Sequence, residues 1–454
     1  MRKYFGTDGI RRIANTELTP DLVFRVAKAG AHVLAKHSNH VPTILIGRDT
    51  RISGSLIESA MTAGFLSYGA NVKLLGVIPT PVVAYLTKKT GADASVVISA
   101  SHNTYEFNGV KYFSNKGMKI PDEIEEEIEA ILDSDQLSEM VAVSDKIGVS
   151  ENATEYIDEY IEFITNLFKN EFDNLPKDFC VGIDTANGAT FELAEKVYKK
   201  LGIKYKIINN KPDGININEN CGSTHIKAIS NLVKEEKLSL GIAYDGDGDR
   251  CLAVDENGEI IDGDIIMAII ANYLKSKNKL KNNTLVATVM SNLGLKKFAE
   301  TQDINFIQTK VGDRYVLEEM LKNDYNLGGE QSGHIILLDY NPTGDGILTS
   351  LMLIQAILEE NKTASEMAKI IKLYPQVLIN AKVDSDKKYD YDKDAEIKEA
   401  IDKLEKEFAG NGRVLIRPSG TEPLVRVMIE GEDQAYITEK AQEIAKLIEA
   451  KLGK

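Results

Sequence analysis

The sequence predicts an α/β fold of three related units followed by a smaller C-terminal α+β domain. Its 454 residues exceed one ordinary core, and length alone suggests about three domains. Three segments repeat one pattern of apolar strand, polar or Gly-containing turn and amphipathic helix. They are "TILIGRDTRISGSLIESAMTAGFLSYGANVKLLG" from Thr43, "CVGIDTANGATFELAEKVYKKLGIKYKIIN" from Cys180 and "LVATVMSNLGLKKFAETQDINFIQ" from Leu285. From about residue 371 the pattern becomes strand, helix, strand, strand, helix, the mark of a separate α+β domain.

In the three segments, short runs of Val, Ile and Leu predict strands buried on both faces, in parallel sheets covered by helices. The first interval between segments is longer than the second, which predicts an insertion in the first unit. The stretch "VVISASHNTYEFNGVKYFS" from Val96 falls inside it. Next, "PDEIEEEIEAILDSDQLSE" sets Ile124, Ile128, Ile131 and Leu132 at helical spacing, with its acidic residues predicted as a solvated face. In the last domain "QVLINAKV" precedes a charged helix from about Asp394 to Phe408. The strands "GRVLIRPSG" and "LVRVMIEG" and a helix from about Asp433 follow. The expected domains are 1–153, 154–254, 255–370 and 371–454.

Composition is globular, 43% hydrophobic and 27% charged, with a formal net charge of −15. That acidity disfavours non-specific nucleic-acid or anionic-membrane binding, while leaving room for a locally basic cleft. Cys180, Cys221 and Cys251 show neither metal-ligand spacing nor a disulfide framework, as in a reducing compartment. The N-terminus lacks the apolar core of a secretory signal, and no run reaches the roughly 18 apolar residues of a membrane span. A soluble, cytoplasmic protein is expected.

The strongest chemical signal is "GIAYDGDGDRCLAV", in which Asp245, Asp247 and Asp249 alternate with Gly246 and Gly248 after a strand. Three carboxylates this close repel unless a cation lies among them. Alternate residues of a flat strand stand about 6.6 Å apart, too far to share a small ion; the glycines let the loop curl. All-oxygen ligation with few protein ligands favours Mg²⁺ over Ca²⁺. An EF-hand is a poor alternative because its sixth position requires Gly and carries Arg250; a plain polar turn is the other.

"RPSGTEPLVRVMIEG" offers the Arg417 guanidinium, the Ser419 and Thr421 hydroxyls and approachable backbone N–H groups around Gly420. These suit a phosphate dianion, although a turn of that composition needs no ligand. "LGGEQSGHIILLDYNPTGDG" displays Glu330, Ser332 and His334 on a tight loop, a set suited to sugar hydroxyls. Ser101 beside His102 suggests a hydrolase pair. In an extended segment, however, adjacent side chains face opposite ways, and G-x-S-x-G is missing. A serine presented near a cation site and a phosphate site suits phosphorylation instead, since phosphoserine adds charge and ligating oxygens.

The motifs "GTDGIRR", "SASHNTYEFNGVKYF", "DGDGDR", "GGEQSGH" and "RPSGTEP", in this order, resemble those of the α-D-phosphohexomutase superfamily over essentially the whole chain. "IDTANGAT", "PDGININENCGS" and Gln331, where many phosphomannomutases and phosphoglucomutases carry Met, point to its bacterial branch acting on glucosamine phosphates. The resemblance implies three related α/β domains with mixed sheets and a TATA-binding-protein-like fourth around a central cleft.

It implies Ser101 as phosphoserine and, with Asp245, Asp247 and Asp249, as ligand of one Mg²⁺ per chain. Lys111, Arg11, Arg250 and His334 join Ser101 at the reaction centre, with Lys111 a candidate general acid/base. Glu330, Ser332, Lys310, Arg314, Arg417, Ser419, Gly420, Thr421 and Arg426 match substrate-binding positions. The implied reaction interconverts D-glucosamine 6-phosphate and D-glucosamine 1-phosphate through a 1,6-bisphosphate, with hexose 1,6-bisphosphate as activator, feeding amino-sugar nucleotide and cell-wall precursor synthesis. Phosphoglucomutase or phosphomannomutase activity is the alternative.

A homodimer and regulatory binding to a diadenylate cyclase are implied as partners; nucleic acid and direct membrane insertion are not. Two positions depart from the family: Arg12 stands for the usual Gly, strained if its φ is positive, and Thr104 for the usual Pro, which would loosen the serine loop.

Overall fold

The computed structural model describes residues 3–6, 8–35, 39–134, 136–419 and 422–453. The first sheet holds β1 (Ile10–Ile13), β2 (Thr43–Arg48), β3 (Asn71–Val77), β4 (Ala94–Ile98), β5 (Phe107–Ser114) and β6 (Ser150–Asn152), ordered β1-β5-β4-β2-β3-β6. The second holds β7 (Val181–Asp184), β8 (Tyr205–Ile208), β9 (Leu240–Tyr244), β10 (Cys251–Val254) and β11 (Ile260–Ile261), ordered β11-β10-β9-β7-β8. The third holds β12 (Thr284–Thr288), β13 (Asn305–Thr309), β14 (Leu327–Gly329) and β15 (Ile335–Leu337), ordered β13-β12-β14-β15.

One arrangement therefore recurs as β3-β2-β4-β5, β8-β7-β9-β10 and β13-β12-β14-β15. In each, three parallel strands are followed by one antiparallel return. The repeated segments of the sequence begin at or next to β2, β7 and β12, the central parallel strands. All five residues of β4 and of β9 are buried, which is why they read as unbroken apolar runs.

Two expectations change. The stretch from Val96 is not an insertion, because β4 and β5 are the counterparts of β9 with β10 and β14 with β15. The extra length follows β5, in the helix Asp122–Leu132 and the edge strand β6. An apolar run, a polar loop and a second apolar run look alike as an insertion or as the hairpin completing a repeat; strand pairing separates them. The helix Asp122–Leu132 does bury Ile128, Ile131 and Leu132 in the first core, with Ile124 packed against it. Its acidic residues are not all solvated, however. Glu125 is only 2% exposed, and Glu129 accepts the backbone N–H groups of Lys3, Tyr4 and Phe5 at 2.8, 2.6 and 2.7 Å.

The chain divides into two compact units, Met1–Met290 with Ile304–Ile370 and Ser291–Asp303 with Ile371–Lys454. The second contains β16 (Gln376–Lys382), the helix Ala395–Phe408, β17 (Gly412–Pro418), β18 (Leu424–Gly431) and the helix Gln434–Leu452, in the order expected for the α+β domain. Its antiparallel sheet runs β16-β18-β17 over a core including Ile397, Val427, Ile437 and Ile448. The helix Leu293–Thr301, which follows β12, groups with this unit. Asn292 donates to Tyr374 O and accepts from its N–H, both at 2.9 Å, and Leu293 N–H donates to buried Glu430 at 3.1 Å. All three cysteines are unpaired. Among the described residues no helix is long and apolar enough to cross a membrane.

Candidate active site

Each antiparallel return of the repeat carries one sequence motif: Ser101 lies between β4 and β5, the three aspartates between β9 and β10, and Glu330 to His334 between β14 and β15. A cavity of about 700 Å³ is lined by residues of all three loops, including Ser101, His102, Asp249, Arg250, Glu330 and His334, together with Asp8, Arg11 and Arg12 from the N-terminal segment. A loop where a parallel strand reverses has left the ladder, so its side chains are free to converge.

Ser101 occupies the left-handed region, φ 50°, which a non-glycine residue holds only when its surroundings enforce it. Its hydroxyl donates to Asp245 Oδ2 at 2.7 Å. The segment is thus a tight turn, and His102 Nδ1 comes within 3.4 Å of Ser101 Oγ, which alternating extended geometry would prevent. Burial, then Arg250 and Arg11, push His102 down to about 4.

Asp245, Asp247 and Asp249 each present one oxygen within 4.8 Å of the others. All three are buried. Gly248 supplies the curl with φ +71°, while a Cβ on Gly246 would sit 2.6 Å from the Ser101 carbonyl oxygen. The donor set fits a hard divalent cation: Oδ1 of Asp247 and of Asp249 are buried without a hydrogen-bond partner among the described residues. Burial, with Asp249 and Asp247 adding repulsion, pushes the Asp245 carboxyl well above its usual range. A divalent metal would relieve that cost.

Lys111, on β5, is buried 2.8 Å from Asp247, 3.1 Å from Asp8 and 3.8 Å from Asp249. Burial alone would lower its pKa, but Asp247, Asp8 and Asp249 together hold it above its usual value. Arg11 donates to Asp8 at 3.0 Å and to Asn103 Oδ1 at 3.2 Å. Arg250 donates its backbone N–H to Asp245 at 3.2 Å, and its buried Nε has no hydrogen-bond partner among the described residues. Arg12 lies in β1 and is not among the positive-φ residues, so no strain attends it; its guanidinium donates to Lys3 O at 2.8 Å.

The third loop divides. Glu330 lines the cavity and accepts the Gly312 N–H at 3.1 Å. His334 is buried, with Nδ1 3.6 Å from Asp249 and Nε2 accepting the Gly344 N–H at 3.0 Å. Burial opposes its protonation, yet Asp249 and Asp313 hold its pKa above the usual value. Ser332 is exposed and is not among the cavity-lining residues. Lys310 lies over the Tyr315 ring, 5.8 Å from its centroid. Arg314 does not line the cavity either; it donates to Ile120 O at 3.0 Å and pairs with Glu125 at 3.3 Å and with Asp122.

In the second unit Arg417 and Arg426 are directly paired across β17 and β18, like charges that repel unless an anion joins them. Burial, then Arg426, lower the Arg417 pKa. Ser419 is buried, and its Oγ accepts the Glu422 N–H at 3.2 Å. Gly420 and Thr421 lie outside the described residues.

Sequence reasoning missed Asp8, Lys119 and Asp313, which line the same cavity. Lys119 Nζ stands 2.6 Å from both Asp8 and Asp313. Asp8 lies inside the motif "GTDGIRR" and Asp313 between Lys310 and Arg314, but neither shows its partner in sequence. Thr80, Arg51 and Asn218 were missed as well. Thr80 Oγ1 donates to Asp247 at 2.7 Å.

Profiles of the phosphoglucomutase/phosphomannomutase alpha/beta/alpha domains I, II and III match residues 2–139, 158–258 and 262–374, and the C-terminal domain profile matches 378–447. With its repeated α/β sheets and convergent loops, the chain belongs to the phosphoglucomutase/phosphomannomutase family of phosphohexomutases, in its bacterial phosphoglucosamine mutase branch. The phosphoglucosamine mutase of Ruminiclostridium cellulolyticum is 52% identical over 453 residues, and that of Clostridium botulinum strain Kyoto 53%, each match covering 100% of both chains.

Solved structures share the fold. A phosphoglucomutase/phosphomannomutase family protein from Burkholderia thailandensis has a TM-score of 0.79 at 22% identity, covering 98% of this chain and 97% of its own. The Aspergillus fumigatus N-acetylphosphoglucosamine mutase, solved with GlcNAc-6P and magnesium, has 0.68 at 18%, covering 98% and 95%.

Proposed function

We propose that this chain is an isomerase interconverting D-glucosamine 6-phosphate and D-glucosamine 1-phosphate. Full-length identity of 52–53% to phosphoglucosamine mutases supports the substrate. The observation that carries the mechanism is the 2.7 Å approach of Ser101 Oγ to Asp245, inside the aspartate cluster. In this reading the segments 1–153, 154–254 and 255–370 contribute one loop each to the reaction centre, and 371–454 carries a phosphate-binding loop of its own.

Phosphorylated Ser101 passes its phosphoryl group to the free hydroxyl of the sugar phosphate: the P–Oγ bond breaks as the P–O bond to the sugar forms, and the proton of that hydroxyl ends on the released Ser101 Oγ. The 1,6-bisphosphate turns around and returns its other phosphoryl group to Ser101; added hexose 1,6-bisphosphate restores any enzyme that has lost its phosphate. Mg²⁺ held by Asp245, Asp247, Asp249 and a phosphoserine oxygen would neutralise charge on the transferring group, where most catalysis of phosphoryl transfer arises. Arg11, Arg250 and Lys111 supply fixed positive charge at the same point. Lys111, wedged among Asp8, Asp247 and Asp249, acts as a cation and holds Asp8 against the reaction centre. His334 orients Asp249, and Glu330 accepts hydroxyls of the sugar.

Arg417, Ser419, Gly420, Thr421 and Arg426 hold the phosphate that is not reacting. Lys310 and Arg314 act indirectly, by bracing the loop that carries Asp313. The protein works in the cytoplasm, as a homodimer open to regulation by a diadenylate cyclase.

The decisive assay compares kcat/KM for glucosamine, glucose and mannose phosphates under one set of conditions. Preference for the glucosamine pair supports the reading; a higher value for glucose or mannose phosphate moves the chain to phosphoglucomutase or phosphomannomutase activity.

A further inference from the structure

We infer that Arg51 and Asn218 form a clamp on the backbone of the serine loop and are positioning residues for transfer at Ser101. The inference rests on the reading of Ser101 as phosphoryl carrier and adds to it what holds the carrier still.

Three carbonyl oxygens of that loop take hydrogen bonds from these two side chains. Arg51 Nη2 donates to Ser101 O at 3.0 Å and to Asn103 O at 2.8 Å, and Arg51 Nη1 donates to Thr104 O. Asn218 Nδ2 donates to Ser101 O and Asn103 O, both at 2.8 Å. Both residues are buried, at 1% and 2% exposure. The Arg51 charge is matched by Asp49, whose Oδ2 accepts Nε at 2.9 Å and the Ser99 hydroxyl at 2.6 Å. Ser99 Oγ in turn accepts the Ser101 N–H at 2.9 Å. One network therefore grips the donor and acceptor of the Ser101 backbone and enforces its left-handed φ.

Asn218 comes from "PDGININENCGS", a motif that no part of the reaction has otherwise used. It follows β8, while the serine loop follows β4, so the clamp ties the serine loop to the sheet that carries the aspartates. Gly246 closes the third side: a Cβ there would meet Ser101 O at 2.6 Å and Asn218 Nδ2 at 2.7 Å. The aspartate loop thus packs directly on the clamped carbonyl. Ser101 must serve as donor and acceptor once each per cycle, and Thr104 lacks the fixed φ that Pro would give the loop. Clamping the carbonyls of residues 101, 103 and 104 supplies that rigidity from outside the loop.

Asn218→Ala and Arg51→Lys in the full chain test this. Arg51→Lys keeps the charge beside Asp49 but loses the planar fork. Phosphorylation of Ser101 by glucose 1,6-bisphosphate is followed by intact mass alongside steady-state kinetics. The clamp predicts that kcat falls about tenfold or more while KM stays within about threefold, because displacement of a reacting group by about 1 Å is costly. Ser101 should gain its phosphate correspondingly slowly.

If Arg51→Lys does not fold, Asn218→Ala decides alone. An Asn218→Ala protein with wild-type kcat and phosphorylation rate overturns the clamp, even if its Tm is lowered. Wild-type protein that turns over without ever gaining the mass overturns the reading of Ser101, and the clamp with it.

Discussion

Asp245 stands where burial and two neighbouring carboxylates act together, and its raised pKa records the cost. Asp245→Asn should therefore raise the Tm of metal-free protein, because it removes a repelling charge while keeping a side chain of the same shape. The same variant should lose most of the Tm increase that added Mg²⁺ gives the wild type. Thermal melts in EDTA and in excess Mg²⁺ check both signs; an unchanged metal response would remove Asp245 from the ligand set. At this scale the sequence was legible wherever a motif carried its own chemistry, as in "DGDGDR". It was silent on partners: nothing near Lys119 or Asp313 announces their 2.6 Å ion pair. Nor does Arg12 reveal that it sits in an ordinary strand, where the usual glycine is not required. The turn at Ser101 was illegible because a positive φ at serine is imposed by distant Arg51 and Asn218, not by its neighbours in sequence.

The helix Asp122–Leu132 and the helix beginning at Asp313 are joined by Arg314, which meets Ile120 O, Asp122 and Glu125. Arg314 is mostly buried, its side chain 14% exposed, and Glu125 is buried beside it. Arg314→Ala removes a cation paired with a buried carboxylate and should destabilise the protein by about 2 kcal/mol. If it is an internal brace, Tm falls while KM for sugar phosphate changes little; if it grips substrate, KM rises with Tm unmoved. Amphipathic spacing located this helix correctly from Ile124, Ile128, Ile131 and Leu132. Spacing could not show that Glu125 and Glu129 meet partners from elsewhere, since helical periodicity reports apolar positions only. The strand-turn-helix segments were legible for the complementary reason, that fully buried parallel strands leave continuous apolar runs.

Across the whole chain, the repeat was visible as three similar segments, but the shared hairpin of each repeat was not, because strand order follows from pairing between distant residues. The larger unit also buries Tyr160, Tyr198 and Tyr244. Burial raises the pKa of each phenol above its ordinary value of 10.0, with Asp345 adding to the effect at Tyr160 and Tyr198 at Tyr244. Stability from these neutral phenols is fully present below pH 10 and is lost as pH rises through the window above it, where the unfolded chain ionises first. The urea midpoint should thus fall steeply above pH 10, and Tyr160→Phe should flatten that fall; an equal slope in both proteins would contradict the assignment.

The central claim is that Ser101 carries the phosphoryl group, and intact-mass spectrometry with peptide mapping tests it directly. After incubation with glucose 1,6-bisphosphate and Mg²⁺, the wild type should gain about 80 Da, the mass of one phosphoryl group, on the peptide containing Ser101. Ser101→Ala should gain nothing and turn over no substrate while keeping its fold. Mutase turnover in Ser101→Ala, or a phosphate mapped to another residue, would contradict the account.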